Sequence, residues 1–162
     1  MSGREILVRV ADLRTAAGGE RLLTVGLGSC VAVVLHDPVA KVGGMAHVLL
    51  PSPALSRNDG NPGRFPQTAV PRLLELMTEA GAAPSRITAR LAGGASMFAS
   101  LAAPGTIQMG ERNVVACRQV LSEHELPVVG EAVGGDFGRT VRLDTATGAV
   151  EVMSVAHGVQ QL

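Results

Sequence analysis

Two residues in this sequence have the types and spacing to do nucleophilic chemistry together. Cys30 follows the step Gly26-Leu27-Gly28-Ser29 and opens an apolar run; His47 follows Gly43-Gly44-Met45-Ala46 in the next one. A free thiol, with a pKa of about 8.5, is mostly protonated at neutral pH, and a neighbouring imidazole makes it a thiolate. A third group usually orients such an imidazole and fixes its tautomer. No Asp or Glu lies between residues 21 and 36, so Thr24 is the nearest uncharged candidate. Gly28 and Ser29 complete the set as oxyanion or substrate-binding residues. Glycine lets backbone approach a ligand, and successive loop N–H groups can face a developing oxyanion. The bland reading stands beside this one: free cysteines are among the most buried residues, and a strand histidine is more often hydrogen-bonded than catalytic.

The second cysteine shows what an inert one looks like. Cys117 shares a helical stripe with Val114 and Leu121 and reads as buried filler. The remaining histidines, His36, His124 and His157, show no metal-ligand spacing, so no metal is expected. Val31 stands where a dinucleotide-binding fingerprint would have its third glycine, and no cofactor is expected.

The elements that must position these residues are legible. Residues 6–10 read as a strand, and residues 16–20 as a turn. Residues 22–50 read as strand, tight loop, strand, turn, strand, with Asp37-Pro38 in the hairpin turn. An antiparallel hairpin centred there brings His47 nearly opposite Cys30, where cross-strand Cβ atoms lie about 4.5–5.5 Å apart. Gly43 and Gly44 suggest a bulge or a close backbone approach. A long polar loop over 51–66 follows and could wall a cleft. Residues 66–82 form a helix with Val70, Leu73, Leu74, Met77 and Ala80 on one stripe, which places Pro71 in its first turn or at its true start. Then come a strand entering the Gly93-Gly94 turn, a second helix over 110–126, a strand from 127, and a closing hairpin around Thr145-Ala146-Thr147-Gly148. This order predicts one α/β domain over 1–162, with a mixed, mostly antiparallel sheet covered by helices.

Composition narrows the function classes. The chain has 14 Lys and Arg against 14 Asp and Glu, so no basic excess is available for nucleic acid. Tyr and Trp are absent and Phe occurs three times, which leaves almost nothing for base stacking. No apolar run approaches a membrane span, and residues 1–10 lack the apolar core of a signal peptide, so a cytoplasmic protein without membrane insertion is expected.

The stretch LGSCVAVVLHDPVAKVGGMAHVLLP (27–51) resembles the signature of the CheD family of chemoreceptor glutamine deamidases. The resemblance continues through ARLAGGASMF (89–98), IQMGERNV (107–114) and VGGDFGRTVRLDTATG (133–148), in the order the family shows. It implies a three-layer α/β/α domain related to the catalytic domain of cytotoxic necrotizing factor toxins. It implies conversion of selected glutamines on methyl-accepting chemotaxis receptors to glutamate, in some members with hydrolysis of glutamyl methyl esters, and binding of the phosphatase CheC. Position by position, the family's catalytic cysteine, histidine and threonine fall on Cys30, His47 and Thr24. Ala92 departs from the pattern where an aromatic is expected, and Phe65 stands where the family often has Tyr. The dyad alone does not choose between deamidation, another Cys–His acyl transfer, and a non-catalytic receptor- or CheC-binding adaptor.

Overall fold

The computed structural model describes residues 3–56 and 60–162. Along the chain run strands β1 (Glu5–Leu7), β2 (Leu13–Ala17), β3 (Arg21–Leu27), β4 (Val31–Asp37) and β5 (Val42–Val48), then helix α1 (Pro66–Glu79) and β6 (Thr88–Gly93). Helix α2 (Met109–Glu123) and strands β7 (Val128–Val133), β8 (Arg139–Asp144), β9 (Val150–Ser154) and β10 (Gly158–Gln161) complete it. The strands form two five-stranded sheets, ordered β1-β3-β8-β9-β10 and β2-β5-β4-β6-β7. The pairs β1–β3 and β6–β7 are parallel, and the others antiparallel.

The α/β class and the mixed, mostly antiparallel pairing are as expected. The layer order differs from the α/β/α arrangement. Both helices pack on one face of the β4-containing sheet, and the second sheet covers its other face. The central strand shows why. Val31, Val33 and Leu35 of β4 face Leu73, Met77, Cys117 and Leu121 of the helices, while Ala32 and Val34 face Leu22, Val141, Leu143 and Val152 of the opposite sheet. A strand buried on both faces reads as a continuous apolar run, with no alternation to reveal its two partners.

Gly43 and Gly44 permit the close packing of these layers. The β4–β5 register runs unbroken from Asp37↔Val42 to Val31↔Val48, so there is no bulge. A Cβ at Gly43 would lie 2.6 Å from Leu143 Cδ2 in the opposite sheet, and one at Gly44 would lie 3.0 Å from Leu73 Cδ2 of α1. The turn before them is held by Asp37, whose Oδ1 accepts from the N–H groups of Val39 and Ala40. Burial works to raise this carboxyl, but the Arg86 side chain and the N–H groups of Ala83, Ala40 and Val39 together hold it well below the usual carboxylate range.

Pro71 lies inside α1, which begins at Pro66. Pro71 is thus past the first turn and not at the start, contrary to the sequence expectation; the carbonyl it leaves without a helical partner belongs to Gln67, an exposed residue, where the loss is cheapest. Strands β2 and β10 add to the sequence expectation: β2 is an edge strand on β5, and β10 is exposed along its length on β9.

Candidate active site

The loop carrying Cys30 is gripped from the β6 side. Ala95 N–H donates to Gly28 O and Gly94 N–H to Cys30 O, both at 2.8 Å. Gly93, with φ of 112°, passes so close that a Cβ there would lie 2.3 Å from Cys30 O. Only glycine satisfies both the backbone angle and the space. Cys30 shares the inter-sheet face with Ala32, Val34 and Met45, at its rim, with 9% of its surface exposed.

His47 lies on the same face of β5 and is fully buried. Its cross-strand partner is Ala32. Cys30 therefore stands one diagonal step from His47, not opposite it. The four-residue turn 38–41 pairs Asp37 with Val42, and this register carries Cys30 toward Leu49. Diagonal neighbours sit roughly 7–8 Å apart, within reach of long side chains. Among the described residues no hydrogen bond joins Sγ to the imidazole.

Thr24 comes from the other sheet. Its Oγ1 lies 2.7 Å from His47 Nδ1 and 2.7 Å from Val8 O. The hydroxyl has one proton, and Val8 O can only accept. Thr24 therefore donates to Val8 O and accepts from His47 Nδ1–H. That assignment leaves the lone pair on Nε2, which is buried and has no partner among the described residues. Burial pushes the imidazole down to about 4 from its ordinary 6.5. Burial pushes the Cys30 thiol up, while its own backbone N–H works the other way. At neutral pH the pair is a thiol and a neutral imidazole whose basic nitrogen is bare.

Two shallow cavities flank the segment before Cys30. One, of about 340 Å³, is lined by Ser29, Ala95, Ser96, Met97, Phe98 and Gln108, among others. The other, of about 550 Å³, includes Gly26, Phe137, Arg139 and Met153. Met97 lines both, and its sulfur would lie 3.3 Å from a Cβ at Gly28. No described residue of the loop over 51–66 lines either: Pro53, Pro62 and Phe65 border a separate cavity of about 240 Å³. Arg57, Asn58 and Asp59 of that loop lie outside the described residues.

A family model described as CheD chemotactic sensory transduction matches residues 49–154. A relative from Desulforamulus reducens is 42% identical over 151 residues, covering 93% of this chain and 91% of its own. One from Clostridium novyi is 39% identical over 162 residues and covers both chains completely. Both are named probable chemoreceptor glutamine deamidase CheD. This chain belongs to the CheD family. A crystal structure of a Neisseria meningitidis protein described under the family model DUF152 aligns with a TM-score of 0.49 at 11% identity, over 83% of this chain and 63% of that one.

The CheD family model begins after His47, whereas the Clostridium novyi CheD alignment spans Thr24, Cys30 and His47 as well. Three residues named by the CheD-like motifs now have locations. Arg112 is exposed near the start of α2. Arg139 is buried; its Nη1 donates to Gly134 O at 2.8 Å and Gly93 O at 3.3 Å, and its guanidinium lies 4.2 Å from the Phe137 ring centroid. It holds the end of β6 that grips Cys30. Asn113 is fully buried behind the Cys30 loop, and only its position one turn into a helix, beside an apolar stripe, hinted at this. Cys117 is completely buried, which pushes its thiol up to about 12.

Proposed function

We propose that this chain hydrolyses selected glutamine side chains of methyl-accepting chemotaxis receptors to glutamate, with Cys30 as nucleophile, His47 as general base and acid, and Thr24 as orienter. The observation that carries this reading is the bare, buried Nε2 of His47 on the Cys30 face. An unpaired buried polar atom costs about 1–3 kcal/mol, which a purely structural histidine has no reason to retain.

As Sγ attacks the glutamine Cδ, Nε2 takes the thiol proton. The oxyanion is met by backbone N–H groups around Gly28, Ser29 and Cys30. His47 then protonates the leaving nitrogen, the C–N bond breaks, and ammonia departs from a thioester. Water gives its proton to Nε2 and attacks the thioester; the thiolate leaves and recovers that proton, and glutamate is released. The same steps would cleave a glutamyl methyl ester with methanol as leaving group. The reading includes one catalytic domain over 1–162, action in the cytoplasm where the receptors' signalling regions lie, and CheC as a regulatory partner. The test is incubation with receptor cytoplasmic fragments and mapping of Gln-to-Glu conversion by mass spectrometry. Conversion that disappears in Cys30→Ala is expected. Absence of conversion by the parent chain on any receptor fragment, or persistence in Cys30→Ala, overturns the reading.

A further inference from the structure

The ladder between β4 and β5 stops at Val31↔Val48, and a side chain from α2 takes over where it ends. Asn113 Nδ2 donates to Ser29 O at 2.9 Å and to Leu49 O at 3.1 Å. Ser29 precedes Cys30, and Leu49 would be the cross-strand partner of Cys30 were the register continued. Both amide protons of Asn113 are thus used on two chain segments. Its Oδ1 is buried without a partner among the described residues. A flipped amide would aim that oxygen at two carbonyls, so the orientation is fixed.

The consequence falls on the Ser29–Cys30 peptide. A trans peptide points its C=O and N–H in opposite directions. Asn113 draws Ser29 O toward α2, so the Cys30 N–H is aimed away from α2. Among the described residues this N–H has no carbonyl partner, and it belongs to the residue that carries the sulfur. A free donor beside the attacking atom is where an oxyanion forms. We infer that Asn113 is a positioning residue: by bridging Ser29 O and Leu49 O it holds the Cys30 N–H as the oxyanion donor of the reaction. This rests on the Cys30 reading given above.

The test separates acyl chemistry from thiol reactivity. Asn113→Ala and Asn113→Ser, on a Cys117→Ala background, are assayed for deamidation of a receptor cytoplasmic fragment and for alkylation of Cys30 by iodoacetamide. Alkylation expels iodide and builds no oxyanion, so it reads only the thiol and His47. In Asn113→Ala kcat should fall about 10²-fold while KM and the alkylation rate stay within about twofold, since an interaction made only in the transition state leaves substrate binding alone. Asn113→Ser keeps one donor and should lose less. Unchanged kcat overturns the inference. So does a parallel fall in kcat and alkylation in both variants, which marks Asn113 as a general prop of the loop. Cys30→Ala, run alongside, distinguishes the other failure: if it still deamidates the fragment, the nucleophile assignment is what falls.

Discussion

Thr24 and His47 meet across the interface between the two sheets, with 2.7 Å separating Oγ1 from Nδ1. The threonine hydroxyl is committed to Val8 O, so the contact selects one imidazole tautomer, the one with a basic Nε2. Replacing Thr24 with valine keeps the volume and removes this control. A kcat loss of roughly 10²-fold is expected for Thr24→Val, in line with the worth of a positioned acid–base group. Thr24→Ser, which keeps the hydroxyl, should retain most activity. Steady-state kinetics on a receptor fragment check both, and equal loss in the two variants would argue against an orienting role.

The low imidazole pKa has a sign that can be tested. Burial lowers His47 to about 4 in the folded chain against an ordinary 6.5. Its neutral form therefore persists well below pH 6.5, and the acid limb of kcat/KM should lie nearer pH 4 to 5 than 6.5. Stability follows the same window. Between those values the unfolded chain binds the extra proton, so stability is fully present above pH 6.5 and is lost as pH falls toward 4. The loss is on the order of 3 kcal/mol. Urea midpoints measured across pH 4 to 7 should fall with acid, and less so in His47→Asn.

The two thiols should separate cleanly under a small alkylating agent. Cys117 is fully buried with its thiol pushed up to about 12, whereas Cys30 sits at the rim of its cluster. Native protein should take up one equivalent, at Cys30, and the modified chain should be inactive. Cys117→Ala should keep its activity and lose about 1 kcal/mol of stability. Peptide mapping after brief iodoacetamide treatment decides this; labelling at Cys117 first would contradict the packing.

Gly93 should tolerate nothing larger. A methyl there meets Cys30 O at 2.3 Å and requires a φ of 112°. Gly93→Ala should cost about 2–3 kcal/mol, from backbone strain and steric displacement together, with the Cys30 loop moving first. Thermal unfolding reads the stability, and the alkylation rate of Cys30 reads the loop. A variant with the parent's melting temperature and thiol reactivity would show that the loop accommodates the methyl.

The sequence made some of this legible and concealed the rest for identifiable reasons. The β4–β5 hairpin was visible because its apolar runs flank an Asp-Pro turn, and the helices because their stripes recur at helical spacing. Register was not visible. A shift of two residues in the turn keeps every side chain on its face, so it decides whether Cys30 lies opposite His47 or diagonal to it without changing the apolar pattern. The second sheet was hidden because a strand buried on both faces looks alike whether helices or strands cover it. Strands β2 and β10 escaped for other reasons: β2 ends in Ala16-Ala17, which lead straight into the Gly18-Gly19 turn, and β10 is exposed on every residue. Thr24, His47 and Cys30 could be picked by type and spacing. Asn113 could not, because a lone asparagine near a helix start is ordinary until the carbonyls it bridges are known.

The proposed base is divided between two sheets: His47 is on one and the Thr24 hydroxyl that touches its Nδ1 is on the other. Neither sheet alone carries a competent imidazole. A chain that has formed its helices and both sheets but has not yet docked them would have native-like far-ultraviolet dichroism and no working base. On the proposed mechanism, activity is thus a signal of completed assembly. Partially denaturing conditions should silence the chemistry before they erase the secondary structure.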